Sequence, residues 1–409
     1  MQLEKPSRNR TRILEILIPF FGVLAPYKIA SIPLPAFLLL IIVFVQLLHT
    51  GGTLHLSRRL IPFVIFWGYT VLRDIFHMLF SVSVPVSSQL NRLIENTVLY
   101  LLIFVTCSHG VDENALFRWW KIAGVIFGLG MLYHVFQLLV LDQNIRPISI
   151  IPGYDISHDA GMDYDRPCSF FSEPASYIQS MMPLLFLSLK RKDFLWSALA
   201  TFLIVVSTST VGVLLCAVLW VAFIMLEKKS AKVTFLFLCF ITIFVFLFLN
   251  LSIFSASLEK AQEVSSGEST WGSRVEGPFQ IIGAMPWSDR ILGSPILDTT
   301  EFVRLNIGKF PRDSSPYRYL LENRTMFLNT ICLLIYRYGF VGLGLFLYTF
   351  MGKLSQKSEC RLYAIMLLVA IWGQGSIATP GIPLIVMLLF ATKQKAPTHT
   401  IIGPKETTT

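Results

Sequence analysis

The sequence has few charged residues: only 14% of its 409 residues are Asp, Glu, Lys or Arg, while 54% are hydrophobic. Water-soluble domains carry about 25% charged residues, so this composition excludes an ordinary soluble globular protein. The same apolar content excludes intrinsic disorder, which requires low hydrophobicity. The mean hydropathy of +0.63 and the apolar runs that recur from Ile13 to Thr392 predict an all-α polytopic membrane protein.

Cysteine and the common catalytic motifs are also scarce. The six cysteines show no Cys-x-x-Cys or metal-ligand spacing, which argues against a disulfide framework or a cysteine metal centre. The chain lacks a phosphate-binding loop, a nucleophile elbow and a His-Glu-x-x-His motif. Residues 155–163 carry side-chain oxygens at alternate positions, as an EF-hand calcium loop does. The sequence departs from an EF-hand at both decisive positions of the loop, which Ala160 and Arg166 occupy. We therefore predict neither a bound metal nor a cofactor.

Runs of about 20 apolar residues are long enough to cross the hydrocarbon core of a bilayer as helices. The sequence predicts about twelve transmembrane helices, at 13–28, 34–49, 60–80, 92–108, 119–141, 168–189, 194–208, 210–226, 233–254, 326–350, 362–378 and 381–392. A medium, acidic loop (142–167) and a long loop (255–325) divide them into N-terminal (1–141), central (168–254) and C-terminal (326–392) groups, followed by a polar tail (393–409).

The basic residues predict the orientation of these helices. If the spans alternate from the N-terminus, 20 of the 34 Lys and Arg residues lie on the side of the N-terminus, and the short segments of the opposite side hold four. The positive-inside rule then predicts a multi-pass protein of the cytoplasmic (inner) membrane with both termini cytoplasmic, and both loops extracytoplasmic. The net charge of +9 is therefore a topology signal, and we expect membrane lipid rather than nucleic acid as a partner.

Ionisable residues inside a membrane span are costly, so each requires a partner or a purpose. Arg73, Asp74 and His77 lie in the third span, and the i,i+4 spacing puts Arg73 and His77 on one face. Pairing of Arg73 with Asp74 at the interface is the structural alternative to a functional site. Arg337 lies deep in the tenth span, where structural pairing and substrate contact are equally open.

Other polar residues of the spans share one location, the outer half of the predicted bundle. They are Arg92, Glu95, His134, Gln137, Arg166, Glu173, Tyr177 and Gln374. This asymmetry predicts a polar cavity that opens outward, whereas a transporter would more often bind its substrate near the midplane. For His134 alone, we favour a hydrogen-bonded structural role.

The segment 166–176 leads from the acidic loop into the sixth span. Pro174 suits the first position of a helix, and Ser172 or Glu173 could cap its free N–H groups. The same arrangement of Arg166 and Glu173 at one helix mouth would also suit anion binding with proton transfer. Capping and function both remain open at this point.

Arginine dominates the cations of the long loop, at positions 274, 290, 304, 312, 318 and 324. A guanidinium group binds phosphate through a planar, bidentate fork, which suits a diphosphate better than lysine does. Because acidic residues of the same loop balance these charges, we expect only two or three of these arginines to contact substrate.

Several short stretches resemble one family of membrane enzymes. They are 166–176, with an Arg followed by Phe-x-Glu-Pro; 207–210 before an apolar helix; 272–274 and 292–293; and Asn329 with 338–343 after the long loop. In these stretches and in loop placement the chain resembles the bacterial O-antigen polymerase and O-antigen ligase superfamily. Family ligases carry a His directly before that Asn; Leu328 stands there, and the long loop has no His, so the resemblance favours a polymerase.

The resemblance implies a glycosyltransferase that joins polyprenyl-diphosphate-linked oligosaccharide repeats into O-antigen, capsule or exopolysaccharide on the outer face of the cytoplasmic membrane. It implies no cofactor, and a chain-length regulator protein as a further candidate partner. We assign diphosphate binding to Arg166 and Arg274, and general-base duty to Glu173. Further substrate contacts are assigned to Arg73, His77, Tyr177, Arg290, Arg324, Asn329 and Arg337. A ligase, and then a flippase for lipid-linked glycans, are the alternatives.

Overall fold

A computed structural model describes residues 12–29, 32–49, 60–80, 112–152, 166–226, 276–322 and 328–354, with single positions at 86, 89, 90, 93, 94, 97, 100, 103, 156, 326, 361, 365, 367, 371 and 386. Most of the predicted span 92–108 lies outside the described residues. So do nearly all of the spans 233–254, 362–378 and 381–392, the tail 393–409, positions 153–155 and 157–165 of the acidic loop, and the first part of the long loop.

The described part of the chain is helical, apart from connecting turns and one antiparallel pairing of two short strands, β1 (Lys28–Ile29) and β2 (Ile32–Pro33). The helices are α1 (Arg12–Leu24), α2 (Leu34–His49), α3 (Ile61–Phe80), α4 (Glu113–Leu139), α5 (Pro174–Lys190), α6 (Phe194–Val206), α7 (Thr210–Leu226), α8 (Gly277–Ala284), α9 (Trp287–Leu292), α10 (Thr299–Leu305), α11 (Ser315–Leu321) and α12 (Thr330–Leu354), with a 3-10 turn at Ile307–Lys309.

Three of the described helices are long and apolar enough to cross a membrane: Ile61–Phe80, Glu113–Leu139 and Thr330–Met351. They support the predicted helical membrane protein. The total of about twelve crossings and the orientation of the termini stay predictions.

Several helix ends differ from the predicted span boundaries. The fifth span was predicted to start at residue 119, but α4 begins six residues earlier, at Glu113. The Asp112 carboxylate caps this start and accepts from the N–H of Asn114 at 2.9 Å. The sixth span was predicted from residue 168, but α5 begins at Pro174. The predicted break at 207–210 is confirmed, since residues 207–209 separate α6 from α7.

Helix α5 forms the centre of the main hydrophobic core. Every residue from 177 to 189 is buried, and α5 packs against α1, α4, α6 and α7. A helix that is apolar on all sides is stable only when surrounded by other helices. Small residues bring the axes together, since a Cβ at Gly22 would meet the Ser180 hydroxyl and one at Gly124 would meet Leu184.

Basic residues that were predicted on one side of the membrane meet at one end of this core. Lys190 forms an ion pair with Glu113 at 2.7 Å, and Lys121 forms one with Asp193 at 2.7 Å. The start of α1 lies at the same end, because Glu15 accepts from the backbone N–H of Asp112 at 2.9 Å. The first turns of α1, α4 and α6 and the last turn of α5 therefore share one end of the bundle.

His134 has the structural role that we predicted for it. Its buried Nδ1 accepts hydrogen bonds from the backbone N–H groups of Cys168 and Ser169, at 3.3 and 3.1 Å. These bonds hold residues 168–173 in a non-helical turn against α4, which explains why α5 starts six residues later than predicted. The Ser169 hydroxyl adds a hydrogen bond to the Phe127 carbonyl at 2.9 Å.

We predict that His134→Ala destabilises the protein, because it leaves two buried N–H groups without an acceptor, at a cost of about 1–3 kcal/mol for each. His134→Asn should lose clearly less stability, because the Oδ1 of the asparagine can replace the histidine Nδ1 as acceptor. Thermal unfolding in lipid nanodiscs measures the difference, and Leu132→Ala at an exposed position is the control. Equal losses for the Ala and Asn variants would contradict the acceptor role.

Candidate functional site at the break in α12

Helices α3 and α12 pack antiparallel, and their contact carries the candidate site. Phe66 meets Phe346 at one end of the contact, with ring centroids 5.3 Å apart. Further along, the Tyr69 hydroxyl donates to the Tyr338 carbonyl at 2.8 Å. The Tyr338 hydroxyl in turn donates to the Asp74 carboxylate, at 3.2 and 3.3 Å from its two oxygens. The polar residues of α3 therefore lie beside residues 336–339.

Helix α12 is broken at Gly339, whose backbone angles are φ 69° and ψ −176°. Only glycine adopts this region readily. The Ile291 carbonyl occupies the space where a Cβ of residue 339 would lie. Gly293, with φ 99°, contacts the Arg337 carbonyl in the same way. We call this pair of close backbone approaches the glycine clasp, Gly293 with Gly339.

The break redirects three successive carbonyl groups of α12 to partners outside the helix. The Tyr336 carbonyl accepts from the backbone N–H of Ser294 at 2.7 Å. The Arg337 carbonyl accepts from His77 Nε2 at 3.2 Å, and the Tyr338 carbonyl from the Tyr69 hydroxyl. A buried carbonyl without a partner is costly, so the break, α3 and the segment after α9 stabilise one another.

Arg73 and His77 lie on one face of α3, as their i,i+4 spacing predicted, and that face is turned towards the break. Because the Arg337 carbonyl can only accept, His77 Nε2 carries a proton and donates to it. The Arg73 Nη2, 3.5 Å from the same nitrogen, is therefore a neighbouring donor and not a hydrogen-bond partner. Arg73 donates instead to the Gly293 carbonyl at 3.2 Å and lies 5.0 Å over the Phe76 ring.

Two arginines thus lie beside one imidazole. The Arg73 Nη2 is 3.5 Å from His77 Nε2, and the same nitrogen donates to the Arg337 carbonyl. The Nε atoms of both arginines are buried, and neither finds a hydrogen-bond partner among the described residues. The alternative of an Arg73–Asp74 ion pair is wrong, because Asp74 accepts from Tyr338 while Arg73 turns to Gly293. Guanidinium groups that pair with no acidic residue in the described part of the chain, in a partly buried place, favour an anionic ligand.

Arg166 and Glu173 have different partners, the α6–α7 turn for Arg166 and the first turn of α5 for Glu173. Arg166 donates to the Thr208 carbonyl at 3.0 Å, in a turn where Thr208 has φ 57°, unusual for a β-branched residue. The cap of α5 that Ser172 or Glu173 could have supplied is not formed. Glu173 occupies the N-cap position, but its side chain makes no capping hydrogen bond. Its carboxylate accepts from the Ser176 hydroxyl at 3.2 Å.

Three other predicted site residues have structural partners. Tyr177 is fully buried against Phe171, with ring centroids 5.7 Å apart. Asn329 caps α12, where its Oδ1 accepts from the N–H of Cys332 at 2.9 Å. Arg290 lies over Trp287 at 4.9 Å and donates to the Met285 carbonyl at 2.9 Å. Arg274 and Arg324 lie outside the described residues.

The structure adds residues that sequence reasoning did not assign to the site. Tyr69 looked like an ordinary aromatic residue of an apolar span, and nothing in its neighbours pointed to a hydrogen bond. Gly293 and Gly339 were visible within the stretches 292–293 and 338–343, but no local pattern indicated that they meet. Only the packing of α9 against α12 joins them.

The chain was compared with known proteins. No protein-family model matches it, and no curated protein is significantly similar to it. The functional argument therefore rests on the residues of this chain, and the resemblance to the O-antigen polymerase and ligase superfamily stays a prediction.

We predict that Gly339→Ala lowers the free energy of unfolding. The backbone conformation, which alanine disfavours, costs about 1–3 kcal/mol, and the collision of the new Cβ with the Ile291 carbonyl adds to this cost. Gly344→Ala in the same helix has open space around it and should leave stability unchanged or raise it. The midpoint of thermal unfolding in nanodiscs measures both variants. A Gly339→Ala protein as stable as Gly344→Ala would contradict the glycine clasp.

Proposed function

We propose that the protein is a glycosyltransferase that polymerises polyprenyl-diphosphate-linked oligosaccharide repeats at the outer face of the cytoplasmic membrane. One observation carries the proposal: Arg73 and Arg337 both lie beside His77, where α3 meets the break in α12, and neither guanidinium forms an ion pair with a described residue. Two such groups match the two phosphates of a lipid diphosphate, which a membrane-embedded site can reach from the bilayer.

The chemistry requires stabilisation of a leaving group and acceptance of a proton. A hydroxyl oxygen of one repeat attacks the anomeric carbon of the growing chain, and the bond from that carbon to the diphosphate oxygen breaks. The lipid diphosphate leaves with the electron pair, and fixed arginines stabilise its charge in surroundings of low dielectric constant. A carboxylate, for which we propose Glu173, accepts the hydroxyl proton.

Arg337 is the better of the two arginines for a functional test. Arg73 also supports the fold through the Gly293 carbonyl, so its loss combines binding and folding effects. The Arg337 side chain donates to no described residue. Arg166 and Arg274 stay proposed diphosphate contacts, although the Arg166 bond to Thr208 means that Arg166→Ala also removes a structural contact.

We expect Arg337→Lys to lower kcat/KM for a purified polyprenyl-diphosphate-linked repeat unit by about 10²- to 10³-fold, because lysine cannot replace the bidentate fork. The assay is polymerisation in proteoliposomes, with products separated by chain length. Arg304→Lys is the matched control, since Arg304 is exposed and pairs with Glu301. Full activity of Arg337→Lys would remove Arg337 from the site.

Glu173→Gln should slow polymerisation by about 10²- to 10⁴-fold through loss of the base, while binding of the lipid-linked donor persists. Equilibrium binding of the labelled donor, measured beside turnover, separates the two effects. Full turnover by Glu173→Gln would overturn the assignment of the base.

The same assay distinguishes the alternative functions. Transfer of a whole glycan to a lipid or protein acceptor, with no growth in chain length, would identify a ligase. Movement of the lipid-linked repeat across the bilayer without joining would identify a flippase. Either result would replace the polymerase proposal.

A further inference from the structure

Gly293, the residue directly after α9, contacts the spanning helices α3 and α12 well inside their ends. Arg73, which holds the Gly293 carbonyl, lies seven residues before the last residue of α3. At a rise of about 1.5 Å per residue this is about 10 Å below the end of the helix. Arg337, in contact with Gly293, lies seven residues after the start of α12, which is about 10 Å again. Measured from the end of α3 and from the start of α12, Gly293 therefore lies at the same depth.

The path of the chain around this point is that of a hairpin. Ile291 contacts Gly339, Gly293 contacts Arg337, and Ser294 bonds to Tyr336, so residues 291–294 run antiparallel to α12 and back towards its start. The residues before α9 also lie near the start of α12, because Met285 shares a hydrophobic cluster with the first turns of α12: Cys332, Leu333, Ile335 and Tyr336. The chain therefore descends through α9 and rises again after Gly293.

We propose that residues 285–296 form a re-entrant segment in which α9 enters the bilayer beside α3 and presents an apolar face to lipid acyl chains. The proposal does not depend on the enzymatic function. It changes the predicted topology, in which the whole of 255–325 lay outside the membrane.

The exposed face of α9 fits this position. Trp287, Ile291 and Leu292 are all exposed, although they are large and apolar. Gly293, the residue directly after α9, accepts from Arg73 of α3, and the exposed residues of α3 beyond Arg73 include Phe76 and Leu79. Large apolar residues at this depth in a spanning bundle contact lipid, because water does not reach them there. The surface of α9 thus continues the lipid-facing surface of α3.

The polar groups of the turn have the partners that membrane depth requires, since irregular backbone is tolerated there only when its polar groups are satisfied. The Gly293 carbonyl accepts from Arg73, and the Gly293 N–H donates to the Asp289 carbonyl at 2.7 Å. Arg290 donates to the Met285 and Gly283 carbonyls.

The test measures the membrane depth of a nitroxide label at position 292. Leu292→Cys is made in a protein whose cysteines 107, 239 and 360 are Ser, while the buried Cys168, Cys216 and Cys332 are kept. The labelled protein is reconstituted into phosphatidylethanolamine and phosphatidylglycerol vesicles. Collision with oxygen, which concentrates in lipid, is compared with collision with a water-soluble nickel chelate.

Three further leucines calibrate the measurement. Leu72 and Leu79 on α3 are 68% and 67% exposed, and Leu305 on α10 of the long loop is 64% exposed, against 50% for Leu292. We expect the label at 292 to collide with nickel at least about fivefold less often than the label at 305. Its depth should lie closer to that of position 72 than to that of position 79.

Nickel collisions at position 292 that equal those at position 305 would overturn the proposal. So would a depth shallower than that of position 79. Unfolding midpoints verify that each labelled protein is folded, and Ile291→Cys replaces Leu292→Cys if the latter does not fold. The same outcomes apply to position 291, and none of them depends on whether the protein polymerises glycans.

Discussion

The break of α12 at Gly339 connects the candidate site to the rest of the molecule. In a helix that continued through this residue, the carbonyls would accept hydrogen bonds from N–H groups of the same helix. At the break, the carbonyls of residues 336, 337 and 338 instead accept from Ser294, His77 and Tyr69. Each partner comes from a different part of the chain, so one irregularity joins α3, α12 and the segment after α9. Because buried carbonyls must be paired, these elements hold one another in place, and Arg73 is held with them through its bond to the Gly293 carbonyl.

The same arrangement explains why cationic groups accumulate at this place. His77 and Arg73 direct donors towards carbonyl oxygens, and Asp74 is taken by the Tyr338 hydroxyl. The carboxylate that could have neutralised Arg73 is therefore engaged elsewhere. In apolar surroundings this positive charge is costly. Arg73 supports the fold through the Gly293 carbonyl, whereas the Arg337 side chain forms no hydrogen bond or ion pair with a described residue.

The sequence predicted the helices best where hydropathy alone determines them. The ends of α2, α3 and α7 agree with the apolar runs 34–49, 60–80 and 210–226 within one residue. It failed at the starts of α4 and α5. Helix α4 begins at Glu113, in a charged turn that a hydropathy pattern does not include. Before α5, residues 168–173 are largely apolar yet non-helical, because His134 binds two of their N–H groups.

The sequence by itself determined the membrane class, the helical periodicity and the shared face of Arg73 and His77, because apolar length and i,i+4 spacing are local properties. It also indicated a structural His134. Only the tertiary structure decided that Arg73 and Arg337 both lie beside His77, that Asp74 turns to Tyr338, and that Gly293 contacts Arg337, a residue more than 40 positions away in the chain. These contacts join residues distant in sequence, and they depend on how closely two backbones approach, which no local pattern records.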